Sequence, residues 1–311
     1  MTLPAGSHQP LSAKGARQLA NTTKTPPQWG GATPRWLVSL LPWVPVEAGT
    51  YRVNRVKEEE TAGIAIECSA DPGEKLPRAK IDYEEHPREY TLCAVTTTLD
   101  VPTRVSDLYR SPMDQVREQL GVVVEMVKER QEHQLINNET YGLLNVVDPS
   151  MRVGTRAGAP TPDDFDELIA RVWKEPAFFL AHPRAIAAFG RECTWRGVPP
   201  PTVTLFGSPF ITWRGIPLIP SDKLEVTEAD GRATTNVLLM RTGEKKRGVV
   251  GLFQPGLAGE VSPSLSVRFM GINQAGSAEY LISLYCSTAV LTEDALGVLQ
   301  NVDVTKYREY P

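Results

Sequence analysis

The sequence has little of what catalysis usually draws on. Its 311 residues hold four histidines (His8, His86, His133 and His182) and four cysteines (Cys68, Cys93, Cys193 and Cys286). No histidine stands at metal-ligand spacing from a cysteine or a second histidine, and no CxxC pair exists. Gly207, Gly215, Gly243 and Gly248 fit neither a dinucleotide fingerprint nor a Walker loop, and the GxSxG elbow is missing. The paired carboxylates Glu84-Glu85 and Asp163-Asp164 fall in a charged loop and at a helix start, where solvation or the helix dipole accounts for them. The chain therefore reads as a protein without a catalytic residue set, metal site or cofactor.

Long apolar runs are also lacking. The longest, WLVSLLPWVPV (36–46), is too short to span a bilayer and is interrupted by Pro42 and Pro45. The first 35 residues contain no continuous apolar core, so a secretory signal is not expected. A net charge of −4, from 33 basic and 37 acidic residues, argues against general nucleic-acid binding. Widely spaced cysteines, two of them (Cys93 and Cys286) in apolar settings, fit buried thiols in a reducing compartment such as the cytoplasm, although sequence spacing leaves a disulfide open.

What the chain does contain falls into four pieces. Residues 1–35 carry Lys14, Arg17, Lys24 and Arg35 and no acid. They are rich in Pro, Gly, Ser and Thr, and they read as an arm that laces onto a neighbouring subunit or lines a lumen. A disordered tail is the plain alternative, and contact with nucleic acid or a transit-peptide role is weaker still. The second piece is a charged ribbon: 17 of the 38 residues from 52 to 89 are charged, against 23% for the whole chain. Strands are expected at 64–68 and 90–97 from their alternation. A two-stranded ribbon is marginal alone in water, so it must lie against something else. Arg52, Arg55 and Lys57 against Glu58, Glu59 and Glu60 suit ion pairs between subunits, which set register more than affinity. A solvated hairpin is the alternative.

The third piece is a long helix. Ser111 caps it and Pro112 takes the first position. Met113, Val116, Leu120, Val123 and Val127 form one apolar stripe, expected to pack on the subunit's own sheet. Gln115, Arg117, Glu118, Glu125, Lys128 and Glu129 occupy the other faces, and His133 lies on the polar side. The fourth piece, from about residue 150, is mixed α/β. Thr161-Pro162-Asp163-Asp164 caps a helix with an apolar face of Phe165, Leu168, Ile169, Val172 and Trp173. The runs 237–240 and 249–253 flank a Gly- and Lys-rich turn and read as an antiparallel hairpin, and so do 266–272 and 278–284 around Gln274-Ala275-Gly276. Asp294, Ala295 and Leu296 are expected to begin a short helix.

The most distinctive stretch is 178–222, FFLAHPRAIAAF…WRGIPLIPSD. Phe178-Phe179-Leu180 suits a buried strand, His182-Pro183 opens a helix, and Ile186 and Phe189 share one face of it. Residues 215–220 form a second strand between breakers. This stretch resembles the central domain of encapsulin shell proteins. WVPVEAGTYRVNRVK (43–57), LINNETYGLLNVVDPSMRV (135–153), TTNVLLMRTGEKKRGVVGLFQPGLAGEV (234–261) and AEYLISLYCSTAVLTEDALGVLQNV (278–302) are similar in the same way. The closer match is to the second encapsulin family, in the branch that includes the mycobacterial major membrane protein I.

The resemblance implies an α+β fold of the tailed-phage major capsid protein (Hong Kong-ninety-seven) type. Its parts would be an N-terminal arm (1–46), an extended loop (47–110), a peripheral domain (111–150 and 259–290) and an axial domain (151–258 and 291–311). It implies a self-assembling subunit of an icosahedral nanocompartment, roughly sixty copies to a closed shell, that encloses a cargo enzyme. A chain of this length leaves no room for the cyclic-nucleotide-binding domain of one subgroup, which points to the subgroup whose cargo is a cysteine desulfurase of sulfur metabolism. The loop after 183–192 would point toward the fivefold axis. That makes Trp195, Arg196, Pro199, Pro200 and Pro201 candidate pore residues, with an ordinary surface loop as the alternative. Two rival readings of the whole chain stay open: a phage or prophage capsid protein that packages DNA, and a soluble enzyme of unknown type.

Overall fold

The structure is a computed structural model that describes residues 30–47, 49–56, 81–102, 115–229 and 231–308. Along the chain run α1 (Trp36–Leu40), β1 (Trp43–Pro45), β2 (Thr50–Val53), β3 (Arg88–Thr91), β4 (Cys93–Pro102), the long helix α2 (Gln115–Asn137) and β5 (Arg152–Gly154). Then come α3 (Pro162–Arg171), β6 (Phe178–Ala181), α4 (Pro183–Trp195), β7 (Thr202–Leu205), β8 (Ser208–Trp213), β9 (Ile216–Pro220) and β10 (Thr227–Ala229). The last elements are β11 (Arg232–Met240), β12 (Val249–Phe253), β13 (Glu260–Ser262), β14 (Leu265–Ile272), β15 (Ser277–Val290) and β16 (Leu296–Asp303).

Apart from the β2–β3 pair, which stands by itself, these strands divide between two sheets. One has the order β1-β12-β15-β14-β13, with β4 also on β15; the other runs β5-β16-β11-β6-β9-β8-β7, with β10 on β11. α2 lies on β4 and β15, while α3 and α4 cover β16 and neighbouring strands of the second sheet. As its stripe requires, α2 packs on the subunit's own sheet and buries Val127, Leu135 and Ile136. Glu129 departs from the sequence expectation: it is buried, because Thr33, Arg35 and Lys223 all reach its carboxylate.

Local signals place several elements correctly. Thr161 and Asp164 form a full capping box, the Thr161 hydroxyl accepting from the Asp164 amide and the Asp164 carboxylate accepting from the Thr161 amide. His182 Nδ1 accepts from the Arg184 amide at 3.1 Å, with Pro183 in the first helical position of α4. β14 and β15 form the expected hairpin. The strand expected at 90–97 is split at Leu92 into β3 and β4. The strand expected at 64–68, the helix start at 111–114 and residues 1–29 lie outside the described residues.

Three expectations are overturned. β11 and β12 are not a hairpin: β11 sits between β6, β16 and β10, and β12 between β1 and β15 of the other sheet. Val249–Leu252 is buried throughout, so this strand needs a neighbour on each side, and β11 has none left to offer. At Gly251 the pairing is so close that a Cβ would stand 2.6 Å from the Trp43 ring directly opposite. Secondly, Glu293–Ala295 makes only one 3-10 turn before the chain enters β16. Leu296, Val298 and Leu299 are buried between β5 and β11, and that burial outweighs the weak local helix signal. Trp173, finally, is 68% exposed: α3 stops at Arg171, and the chain turns away through Glu175 at φ 55°.

Candidate assembly surfaces

The base of the charged ribbon is β2 paired with β3. Arg52 faces Glu89 across the pair, with Nε 2.7 Å from Oε1. Tyr51, Val53, Tyr90 and Leu92 pack onto a small cluster of Val46, Val250, Leu252, Ala289 and Leu291, which answers the question of what supports so polar a ribbon. Polar contacts then fix its angle. Tyr90 donates to the Val290 carbonyl at 2.6 Å, and Tyr51 donates to Glu244 at 2.7 Å. Burial and the Glu244 carboxylate together push the Tyr51 phenol up to about 12. Arg55 and Arg88 converge on one oxygen of Glu293, at 3.1 and 2.7 Å, and Arg55 also donates to the Leu291 carbonyl. Of the sequence candidates, Arg52 and Arg55 thus lie at the base. Lys57, Glu58, Glu59 and Glu60 lie outside the described residues.

A second joint ties the amino-terminal segment to α2. The Thr33 amide and hydroxyl donate to the two oxygens of Glu129 at 2.8 and 2.7 Å, and Arg35 bridges Glu125 and Glu129. Lys223, in the loop after β9, closes on Glu129 at 2.8 Å. Burial pushes the Glu129 carboxyl up, but Lys223 and Thr33 outweigh it and hold it below its ordinary value. One turn further along α2, Glu132 is 2% exposed, and one of its oxygens accepts from Ser221 at 3.0 Å. Its other oxygen is buried and finds no partner among the described residues.

The candidate pore loop leaves α4 at its C-terminal end. Ala185, Ala188, Phe189 and Cys193 bury one face of that helix, and Gly197 at φ 72° turns the chain out. Trp195 is 47% exposed. Arg196 lies 3.4 Å from Asp163 and 3.8 Å from Glu192. Pro199 and Pro200 follow in the partly exposed loop, and the Pro201 carbonyl anchors its far end by accepting from the Thr212 amide and hydroxyl. A feature that sequence reasoning missed lies beside it. Residues 304–308 run across α4, with Arg308 on Glu192 at 2.7 Å and its guanidinium 4.6 Å from the Trp195 ring. The Arg191 guanidinium stacks 4.2 Å from the Tyr307 ring. These pairs join residues more than a hundred positions apart, so no local pattern announces them.

Cys286 and Cys193 are buried and Cys93 is half-buried, all three as free thiols; burial pushes the Cys193 thiol up to about 11 and the Cys286 thiol up to about 12. Among the described residues no group of three or more His, Cys, Asp or Glu is placed to hold a metal, and no helix is long and apolar enough to cross a membrane. Large apolar side chains are left open on β13 and β14: Val261 beside the start of β14, and Phe269, Met270 and Ile272 at its far end, each about 60–70% exposed.

Comparison with known proteins gives these surfaces a context. A family described as "Type 2A encapsulin shell protein SrpI-like" matches residues 50–306. A curated relative from Synechococcus elongatus, the type 2A encapsulin shell protein SrpI, is 63% identical over 295 residues, covering 95% of this chain and 94% of its own. The cryo-electron microscopy structure of the holo-SrpI encapsulin complex from that organism superposes with a TM-score of 0.83 at 60% identity, covering 97% of this chain and 100% of the other. The capsid of a native GTA particle superposes over 90% of this chain and 95% of its own with a TM-score of 0.59 at 13% identity, a likeness of fold alone. The tailed-phage capsid fold expected from the sequence is the fold observed.

Proposed function

The chain belongs to the family of type 2A encapsulin shell proteins, a structural subunit and not an enzyme, and from that premise we propose that the icosahedral nanocompartment it builds encloses a cysteine desulfurase and serves sulfur metabolism in the cytoplasm. The observation that carries the reading is the near end-to-end match to a shell protein whose solved assembly is a holo complex. The desulfurase itself rests on the resemblance to the branch of the second encapsulin family that carries this cargo.

The work of such a subunit is association. Many modest contacts, repeated by symmetry, close a shell that no single contact would hold. In this reading the charged ribbon clasps a neighbouring copy from the angle that Tyr51, Tyr90 and Glu293 set at its base. The amino-terminal segment, tied to α2 through Glu129, continues toward a neighbour or the lumen. The loop with Trp195, Arg196 and the three prolines lines a pore. The exposed strip at Phe269, Met270 and Ile272 supports a subunit that is incomplete alone, since patches of large apolar side chains mark interaction sites.

Two measurements test the reading. The chain is co-expressed with a cysteine desulfurase and the particles are purified. Hollow spheres with internal density by electron microscopy, and the desulfurase by mass spectrometry, are expected. Empty spheres under those conditions would remove the desulfurase, and nuclease-protected DNA inside would return the phage reading. The ribbon base is tested by Glu293→Ala. That carboxylate is about half exposed, so the change costs the subunit at most about 1 kcal/mol. It is nevertheless expected to shift material from the void volume toward small species in size-exclusion chromatography. Unchanged particle yield would show that the base does not aim the ribbon.

A further inference from the structure

Three turns meet where the chain crosses from β11 to β12, and they enclose a pocket of about 380 Å³. Its lining holds five cations, Lys174, Arg241, Lys245, Lys246 and Arg247, against two carboxylates, Glu175 and Asp294. Both carboxylates are already engaged. Asp294 lies 2.8 Å from Arg241 and 2.8 Å from Lys174, and Glu175 lies 2.8 Å from Lys246. Burial works against the Asp294 charge, but Arg241 and Lys174 outweigh it and hold that carboxyl well below the usual range, so it stays ionised. The remaining carboxylate of the loop, Glu244, is turned away to accept from Tyr51.

Positive charge is therefore left over. Lys245 and Arg247 are exposed, and their side chains meet no partner among the described residues. Arg241, only 4% exposed, gives its two terminal nitrogens to Asp294, Thr292 and the Lys174 carbonyl. Its Nε is closed off from solvent and donates to nothing among the described residues, so Arg241 acts on the pocket through its charge and not as a direct donor. The loop that presents these groups is held in shape beforehand: Gly243 donates to Val249, Gly248 to Gly243 and Arg247 to Glu244, at 2.9–3.1 Å. A Cβ at Gly248 would stand 2.5 Å from the Arg241 carbonyl oxygen, so the loop cannot close tighter or carry a side chain there.

We propose that this pocket is a binding site for a small multivalent oxyanion of the phosphate class. A concave site with surplus cations concentrates anions, the planar guanidinium fork matches tetrahedral oxyanions, and a loop already fixed loses little entropy on binding. The cations surround one cavity and form no stripe, and the chain is acidic overall, so a nucleic-acid backbone is a poor fit. The occupant would link the turn after α3, the end of β11 and the turn before β16, the last two being points where the chain passes between its two large sheets. Binding would stabilise the fold by mass action.

The test uses assembled wild-type shells titrated with inorganic phosphate, and with sodium chloride at matched ionic strength, by calorimetry and thermal unfolding. A saturable heat and a rise in melting temperature are expected for phosphate and not for chloride. The Lys245→Ala/Arg247→Ala double variant removes two exposed side chains that pair with nothing among the described residues, so particle size should stay the same by electron microscopy. Its phosphate affinity is expected to fall about tenfold or more. Equal responses to phosphate and chloride, or equal affinity in the double variant and the wild type, would overturn the proposal. A neighbouring copy's carboxylate already filling the pocket would give the first of these results.

Discussion

Phe189→Ala is expected to cost about 3–5 kcal/mol, the range for deleting a large aromatic side chain from a packed core. Phe189 is fully buried in α4. It stacks on Phe165 of α3 at 4.1 Å and meets Trp213 of β8 edge-on at 5.4 Å, while Phe165 meets Phe179 of β6 at 4.9 Å. One ring therefore joins two helices to the sheet beneath them. The truncation leaves a void that the two rigid rings of Phe165 and Trp213 cannot collapse to fill. Phe189→Leu keeps most of the volume and is expected to lose much less. Thermal unfolding of assembled particles, at one fixed subunit concentration because association shifts the midpoint, reads both. Since α4 carries the loop at Trp195 and Arg196, the Ala variant should also yield fewer closed shells. A melting temperature equal to that of the wild type would mean that the stack is not what holds α4.

Glu132→Gln should produce the largest change in pH behaviour. Burial raises the Glu132 carboxyl to about 7, against partial relief from Ser221 and Lys223. In the unfolded chain it ionises near 4.5. Between these two values the folded state keeps a proton that the unfolded state has released, so stability falls as pH rises through that window and levels off above it. The separation corresponds to about 3 kcal/mol. Gln keeps the shape and the acceptor for Ser221 but has no charge to bury. The variant should match the wild type near pH 4.5, exceed it increasingly toward pH 7, and hold that advantage at pH 8. Denaturation midpoints across this range check it. Parallel pH profiles for the two proteins would show that Glu132 does not titrate in the window.

What could be read from the sequence, and what could not, divides by the range of the interaction. The capping box at Thr161 and Asp164, the His182-Pro183 helix start and the turn at Gln274-Ala275-Gly276 are signals completed within a few residues, and each element formed where expected. The pairing of Val249–Phe253 differs from the expected hairpin because a Gly- and Lys-rich turn reports only that the chain changes direction. The strand's partner, β15, lies more than twenty residues further on, and an all-apolar segment is accepted by either sheet. Weak local preference puts Leu296 in a helix, but β5 and β11 decide its position. The candidate surfaces follow the same rule. Charge density, mixed signs and the resemblance to an extended loop single out Arg52 and Arg55, but nothing near them in sequence points to Glu293 or Glu89. Glu129 and Glu132 look like ordinary solvated helix residues until Thr33 arrives from before α2 and Ser221 from well after it.

β15 is bonded to β14 and β4 along most of its length and to β12 at its end. Fourteen extended residues reach about 45 Å, from the turn at Gly276 to the Val290 carbonyl that anchors Tyr90. A strand braced on both sides bends little, so it behaves as a stiff beam with a load point at each tip. A push on one rim of the subunit arrives at the root of the ribbon as tilt, without being absorbed on the way. Where the ribbon clasps a neighbouring copy, as proposed, strain at one seam of the container would in this way be shared with the next, and the wall would resist denting as a continuous skin.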